Sequence, residues 1–236
     1  VTLPDTHALL ARLTAEEWQV VLLTLRVAGL AVGCGLPLAI LTGALLAVRF
    51  PGRFLISALV HLPLALPPVV TGWLLLLMFG VEGPAGGWLF RHFNIRLAFT
   101  MQGAALACGV MVFPLMVRAV RLSIELIDPG LSQAARTLGA GRIDRFFSIM
   151  LPLSLPGVLM AAVLGFTGSL GEFGAVITFA ANIPGQTQTL PLAIYAALQT
   201  SDGALMAARL SLMSVALALG GVLLSERLAS RLRRRV

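Results

Sequence analysis

The sequence predicts an all-α, polytopic integral membrane protein, and three observations carry that prediction. Of its 236 residues, 58% are hydrophobic and only 11% are charged, where a soluble domain carries about 25% charged residues. The mean hydropathy is +0.95. The apolar residues fall in runs separated by short arginine-bearing turns, and a helical span needs roughly 20 of them. The length therefore allows about five or six spans and no separate soluble domain.

Residues 1–17 are a polar lead holding His7, Arg12, Glu16 and Glu17. It has no apolar core, so no cleavable signal peptide is expected there. Thr14-Ala-Glu-Glu17 has capping-box spacing, and Trp18 sits where an interfacial aromatic belongs. The first span is expected over about 18–48, tilted or bent near Gly33-Cys-Gly-Leu-Pro37 because it is longer than a bilayer requires. After a basic turn at Arg49-Phe-Pro-Gly-Arg53, the second span covers about 54–79 and contains Pro63, Pro67 and Pro68. A loop over 80–96 leads to the third span, about 97–122. A polar island, 128–152, separates it from the fourth span, which begins at Leu151-Pro152 and continues to about 170. A mixed segment, 171–203, precedes the last span, about 204–224. Within it, 190–200 is too short to cross, at about 17 Å of helix, and reads as a re-entrant or surface helix. The domain division is thus 1–17 as lead, 18–226 as one membrane domain, and 227–236 as a basic tail.

Arginine placement orients the chain. There is no lysine, and twelve of the 17 arginines collect on one side: Arg49, Arg53, Arg118, Arg121, Arg136, Arg142, Arg145, Arg227, Arg231, Arg233, Arg234 and Arg235. The positive-inside rule makes that side cytoplasmic, with the island and the C-terminus there and the N-terminus and 171–203 outside. An odd number of spans follows, and five full spans are expected. The missing lysine excludes a P-loop and a Schiff-base enzyme, so any ATP chemistry belongs to another chain. Charge at span ends rather than in one groove argues against a nucleic-acid partner. Cys34 and Cys108 lie in apolar runs without CxxC spacing, and His61 has no second ligand nearby, so neither a metal nor another cofactor is expected.

The island reads as a helix–turn–helix knob. Asp128 caps and Pro129 occupies the first position. Leu131 to Leu138 form two turns, stopped by Gly139-Ala-Gly141, and 142–150 form a second helix running into the fourth span. Ala134 and Ala135 allow close backbone approach, while Leu131, Leu138, Phe146 and Phe147 supply apolar anchors. The spacing of Gln133-Ala-Ala135, Gly139, nine residues, then Ile149-Met-Leu-Pro152 resembles the EAA loop of ABC importer membrane subunits. Every position from Ala134 to Pro152 fits, and Gln133 stands in place of the usual Glu. The resemblance implies a type I importer permease fold, with this loop as the coupling helix against an ATPase subunit. Docking is thereby carried to Leu131, Gln133, Ala134, Ala135, Leu138, Gly139, Phe146 and Phe147.

Further stretches are similar to the molybdate permease family: Leu66-Pro-Pro-Val-Val-Thr-Gly72, Phe113-Pro-Leu-Met-Val-Arg118, Ser169-Leu-Gly-Glu-Phe-Gly-Ala175 and Asn182-Ile-Pro-Gly-Gln-Thr-Gln-Thr-Leu-Pro191. The family implies a bacterial inner-membrane permease working as a homodimer, with two ATP-binding subunits below and a periplasmic molybdate-binding protein above. Sulfate, thiosulfate or tungstate permeases share several elements. An ion-coupled secondary anion transporter is the rival of a different class, but it calls for buried coupling sites and inverted repeats that are not evident. A break at Pro67-Pro68 lies about 20 Å into its span and would open a half-helix N-terminus at Val69, Val70 and Thr71 to an anion; a plain packing kink is the alternative. Glu172, about 30 Å beyond Pro152, is placed at the outer interface, where Ser169, Glu172 and Asn182 form a gate or meet the binding protein. Gly165, Gly168, Gly171 and Gly174 serve packing or bending. Arg118 and Arg121 either attract an anion at the inner exit or simply follow the positive-inside rule.

Overall fold

The computed structural model describes residues 14–233. The polar lead up to residue 13 and the last three residues of the tail lie outside that range. Among the described residues there are helices and no strands. The elements are α1 (Ala15–Ala47), α2 (Arg53–Ala65), α3 (Pro68–Phe79), α4 (Pro84–Phe93), α5 (Met101–Glu125), α6 (Pro129–Thr137), α7 (Arg142–Leu153), α8 (Leu155–Leu170), α9 (Gly174–Ala180), α10 (Leu190–Leu198) and α11 (Ala204–Arg233).

Three helices, α1, α5 and α11, are each long and apolar enough to cross a membrane. The expected second and fourth spans are not straight. α2 and α3 meet at 114°, and α7 and α8 at 68°. Five spans are reached when each bent pair counts as one. The physical reason is proline. Pro68 and Pro156 stand in the first turn of α3 and α8 and bring no N–H, and Leu66 before Pro67 is driven to an extended ψ of 147°, as the clash with a following ring requires. By contrast, α1 runs unbroken through Pro37 for 33 residues, so its surplus length continues as helix.

The core is built on α5, against which α1 and α8 pack. Small residues set the approach. A Cβ at Gly43 would lie 2.9 Å from Val120, one at Gly35 would lie 2.8 Å from Met116, and one at Gly168 would lie 2.9 Å from Val112. These pairings make α1 parallel to α5. Ser123 Oγ donates to the Ser154 carbonyl at 3.3 Å and Cys108 Sγ to the Ser169 carbonyl at 3.8 Å, so α8 is antiparallel to α5. At the end holding Ala15 and Met101, buried Glu17 meets the largely buried Arg209 at 2.9 Å. The capping box is formed: Glu17 N–H donates to Thr14 Oγ1 at 3.2 Å, and Thr14 N–H to Glu17 Oε2 at 2.8 Å. One carboxylate therefore both starts α1 and ties it to α11. The short α10 packs its Leu190 and Ala193 with Val20, Val21 and Leu210. Leu190 N–H donates to Thr24 Oγ1 at 2.8 Å. It is a packed cap rather than a free surface helix.

Two differences from expectation are local. The loop over 80–96 contains α4, which begins at Gly83-Pro84 and ends on Asn94 with a left-handed φ of 53°. α11 continues through Arg233, so the tail over 227–233 extends the last span as helix. α3 and α9 approach backbone to backbone. A Cβ at Gly72 would lie 2.7 Å from the Ala175 carbonyl oxygen and 3.0 Å from its Cα. Backbone cannot yield as a side chain can. Gly72→Val should therefore destabilise by about 1–3 kcal/mol, read as a lower thermal midpoint of the purified protein. An unchanged midpoint would show that these helices are free to separate.

Candidate functional site

The knob forms at the arginine-rich end of the bundle. Asp128 Oδ1 accepts from Gly130 N–H at 2.8 Å, and Pro129 opens α6. α6 closes on Gly139, whose φ of +88° lies in the left-handed region glycine tolerates. Ala140 N–H reaches the Ala135 carbonyl and Gly139 N–H the Arg136 carbonyl, both at 3.0 Å, the pairing of a Schellman stop. Arg145 then staples the two arms, donating to the Ser132 carbonyl and hydroxyl at 3.3 Å. The second arm is a short α-turn, Arg142–Arg145, followed by a π-helical turn, Phe146–Met150. It does not run straight into the next span, because the chain bends at Ser154. π-turns leave backbone bonds displaced and recur where helices must reorient.

Among the described residues, nothing on the body of the chain covers this knob. α6 has no buried residue, Leu138 is 89% exposed, and Leu131, Ile143 and Phe147 are exposed as well. Ala134 and Gly139 lie open on the same segment, while Ala135 and Phe146 are half-buried; Phe146 stacks edge-on against Phe147 at 5.0 Å. Gln133 is exposed and lines a cleft of about 740 Å³ together with Arg49, Arg53, Asp128 and Ser132. A soluble surface would not display this many large apolar side chains on one small projection. The knob's base is fixed by Glu125, which receives Arg53 at 2.7 Å and Arg121 at 2.9 Å.

The break before α3 is present, with a different donor set from the one expected. Pro67, Pro68, Val69 and Val70 are exposed, whereas Thr71 is 5% exposed and its hydroxyl has no hydrogen-bond partner. Val70 and Thr71 N–H groups both bond the Pro67 carbonyl, at 2.9 and 3.2 Å. Pro68 has no N–H, so Val69 alone retains a free donor in the first turn. Thr71 points inward because it lies one turn before Leu75, on the face packed into the core.

The outer residues also move from their expected places. The bend at Ser154 removes Leu151–Leu153 from the span, so Glu172 lies lower than a count from Pro152 implies. Ser169 is level with Cys108, seven residues inside the end of α5, and the Phe179 carbonyl meets Phe99 N–H at 3.3 Å. Glu172 therefore sits inward of the end of the bundle that holds Ala15 and Met101. It is half-buried, and its Oε1 accepts from Ala175 N–H at 2.9 Å, capping α9. Ser169 is buried with its hydroxyl committed to the Gly165 carbonyl at 2.8 Å. Asn182 Oδ1 is buried without a partner, beside a loop held by Thr187, which accepts from Ile183 N–H and donates to the Ala181 carbonyl, both at 3.0 Å. Of the glycine series, Gly165, Gly168 and Gly174 face neighbouring helices, while Gly171 meets only its own turn. Sequence reasoning missed Arg209, the partner of Glu17 across the bundle, which no short-range spacing reveals. Among the described residues no cluster of His, Cys, Asp and Glu can hold a metal ion.

Comparison with known proteins places this geometry. Residues 35–235 match the family described as the binding-protein-dependent transport system inner membrane component. The chain is 54% identical over 218 residues to the molybdenum transport system permease protein ModB of Escherichia coli K12, covering 92% of this chain and 95% of that one. The ModB protein of Haemophilus influenzae is 52% identical over 202 residues, 85% of this chain and 88% of its own. A sulfate transport system permease protein, CysT of E. coli, is 43% identical over 154 residues, 65% of this chain and 55% of its own. Among solved structures, a bacterial ABC transporter importing alginate superposes with a TM-score of 0.74 at 19% identity, covering 93% of this chain and 80% of that one. That likeness establishes the shared importer-permease fold. The helical bundle, its uncovered knob and these relatives together assign the chain to the binding-protein-dependent inner-membrane transport components.

Proposed function

We propose that this chain is the permease subunit of an ABC importer that carries molybdate into the cytoplasm, two copies enclosing one pathway. The observation that carries the reading is the knob. It is a rigidly capped, apolar projection left uncovered by the rest of the described residues, and its spacing is that of a coupling helix. It stands at the arginine-rich end, which the positive-inside rule places in the cytoplasm, with the N-terminus in the periplasm. Leu131, Ala134, Ala135, Leu138, Gly139, Phe146 and Phe147 are assigned to the contact with an ATP-binding subunit, and Gln133 to the rim of that contact. The chain has no lysine, so ATP hydrolysis belongs to the two partner subunits. ATP brings those subunits together because it binds their closed arrangement more tightly. The knobs move with them, and the pathway opens to a periplasmic molybdate-binding protein.

Molybdate is favoured over sulfate because the molybdenum permeases are matched over nearly their whole length and the sulfate permease over about half of its own. Exposed Pro67 to Val70 line the pathway, and Val69 N–H is the donor they offer. Asn182, near the outer end, is assigned to the gate. Glu172 and Ser169 position the elements around it. The test is competition: a strain lacking its own molybdate permease, supplied with this chain and its partner subunits, should accumulate molybdate. A tenfold excess of sulfate should leave that accumulation within about twofold of the control. Displacement by sulfate at that excess would transfer the assignment to the sulfate class.

Gln133 yields a second expected result. A Glu there would face Arg49 and Arg53 across an open cleft, and exposed pairs of this kind contribute about 0–1 kcal/mol. Gln133→Glu should therefore keep uptake within about twofold of the parent. Loss of complex assembly in that variant would contradict the rim assignment.

A further inference from the structure

We infer that the cleft between α2 and α5 is an oxyanion-binding subsite on the cytoplasmic half of the pathway, with Arg118 as its charged ligand. The cleft encloses about 380 Å³ and is lined by Phe54, Ser57 and His61 from α2 and by Arg118, Arg121 and Glu125 from α5. Arg118 stands seven residues before Glu125 on α5, about 10 Å inward from the end of that helix. The positive-inside rule accounts for charge at the ends of spans. It does not call for a guanidinium two turns inside one, where an ionisable residue marks a ligand path by default.

The three arginines near this cleft differ in one respect. Arg53 and Arg121 share the Glu125 carboxylate, at 2.7 and 2.9 Å. Arg118 has no carboxylate in ion-pair reach among the described residues and is solvent-exposed. One acid facing three arginines leaves two positive charges locally, which matches a tetrahedral dianion. Across the cleft, His61 Nδ1 lies 2.7 Å from the Ser57 carbonyl. A carbonyl only accepts, so the ring proton is on Nδ1 and Nε2 is the ring nitrogen left without a protein partner. The α2 wall is polar and carries no guanidinium, so the arginine charge that attracts the anion lies on the α5 side. A ligand in transit needs such a shallow site, since a deep one would retain it.

This inference rests on the import reading for the choice of cargo, and the experiment separates the two. The purified permease with its ATP-binding subunits, without nucleotide, is placed in nanodiscs of phosphatidylcholine alone or with phosphatidylglycerol. Equilibrium dialysis then measures retained molybdate, sulfate and inorganic phosphate. Molybdate should be retained in both lipids. Arg118→Gln should lower its affinity about tenfold or more, as loss of a charge-assisted hydrogen bond to an anion implies. Arg118→Lys, which keeps the charge, should retain most of the binding and shows that the site tolerates substitution. Equal binding by the parent and Arg118→Gln would overturn the subsite. So would an Arg118 effect confined to phosphatidylglycerol discs that follows retained lipid, because the ligand would then be a headgroup. Arg118-dependent retention of sulfate without molybdate would support the subsite and overturn the molybdate reading. Retention of none of the three anions by a complex that still imports molybdate would overturn the subsite alone.

Discussion

Gly139→Val should reduce ATP-driven uptake by more than about tenfold while the chain still inserts and remains folded. No neighbour obstructs a Cβ at this position; the difficulty is the backbone. At φ +88° an L-residue with a branched β-carbon is strained by at least about 1–2 kcal/mol. A knob held by the Gly139 and Ala140 turn bonds and one arginine staple has little to oppose that strain. The turn relaxes to negative φ, and Leu138, 89% exposed, leaves the position it presents to a partner. Hydrolysis by the ATP-binding subunits should continue without import, so the ratio of ATP consumed to molybdate delivered rises. Gly139→Asn is the control, because asparagine adopts the left-handed region readily and should preserve most uptake. Ala134→Trp should reproduce the loss by bulk alone. Full coupling in both Gly139→Val and Ala134→Trp would remove the knob from the mechanism.

Glu17→Ala should give the largest loss of stability, about 3–5 kcal/mol, measured as a lower thermal midpoint in detergent. Glu17 is 2% exposed and the Arg209 side chain 10%, so the substitution removes the carboxylate from a largely buried ion pair. It also removes the acceptor for Thr14 N–H, loosening the start of α1. The pair is more readily replaced than broken. Glu17→Leu together with Arg209→Met removes both charges, and apolar packing commonly matches a buried ion pair; the double variant should recover most of the loss. Failure to recover would mean that Arg209 acts through its other contacts.

Local signals in the chain were legible where a few neighbouring residues decide the outcome. Asp128-Pro129 as a helix start, Gly139 as its stop, and Thr14 with Glu17 as a capping box each need only four residues or so to form. The apolar runs foretold the bundle because a bilayer-length helix must satisfy its own backbone. Angles were not legible. Pro67-Pro68 announces a break, but the 114° turn depends on α3 finding its seat against α9 through Gly72 and Gly174. Depth was misplaced for the same reason: counting residues to Glu172 assumes a straight helix, and the bend at Ser154 shortens the climb. Exposure along the start of α3 was half legible. The exposed side of Pro67 to Val70 followed from the break, while the inward turn of Thr71 followed from packing of Leu75. The helix α4 carried readable signals at both ends, Gly83-Pro84 and Asn94, and was hidden by the glycines between them. Glu17 and Arg209, far apart in sequence, meet only once the bundle closes.

The most direct test is uptake by proteoliposomes containing this chain, its two ATP-binding subunits and the molybdate-binding protein. The account predicts molybdate accumulation that requires ATP inside the vesicle and binding protein outside, is unaffected by collapsing ion gradients, and is lost in Gly139→Val with hydrolysis retained. Accumulation without ATP, driven by an imposed ion gradient, would contradict it.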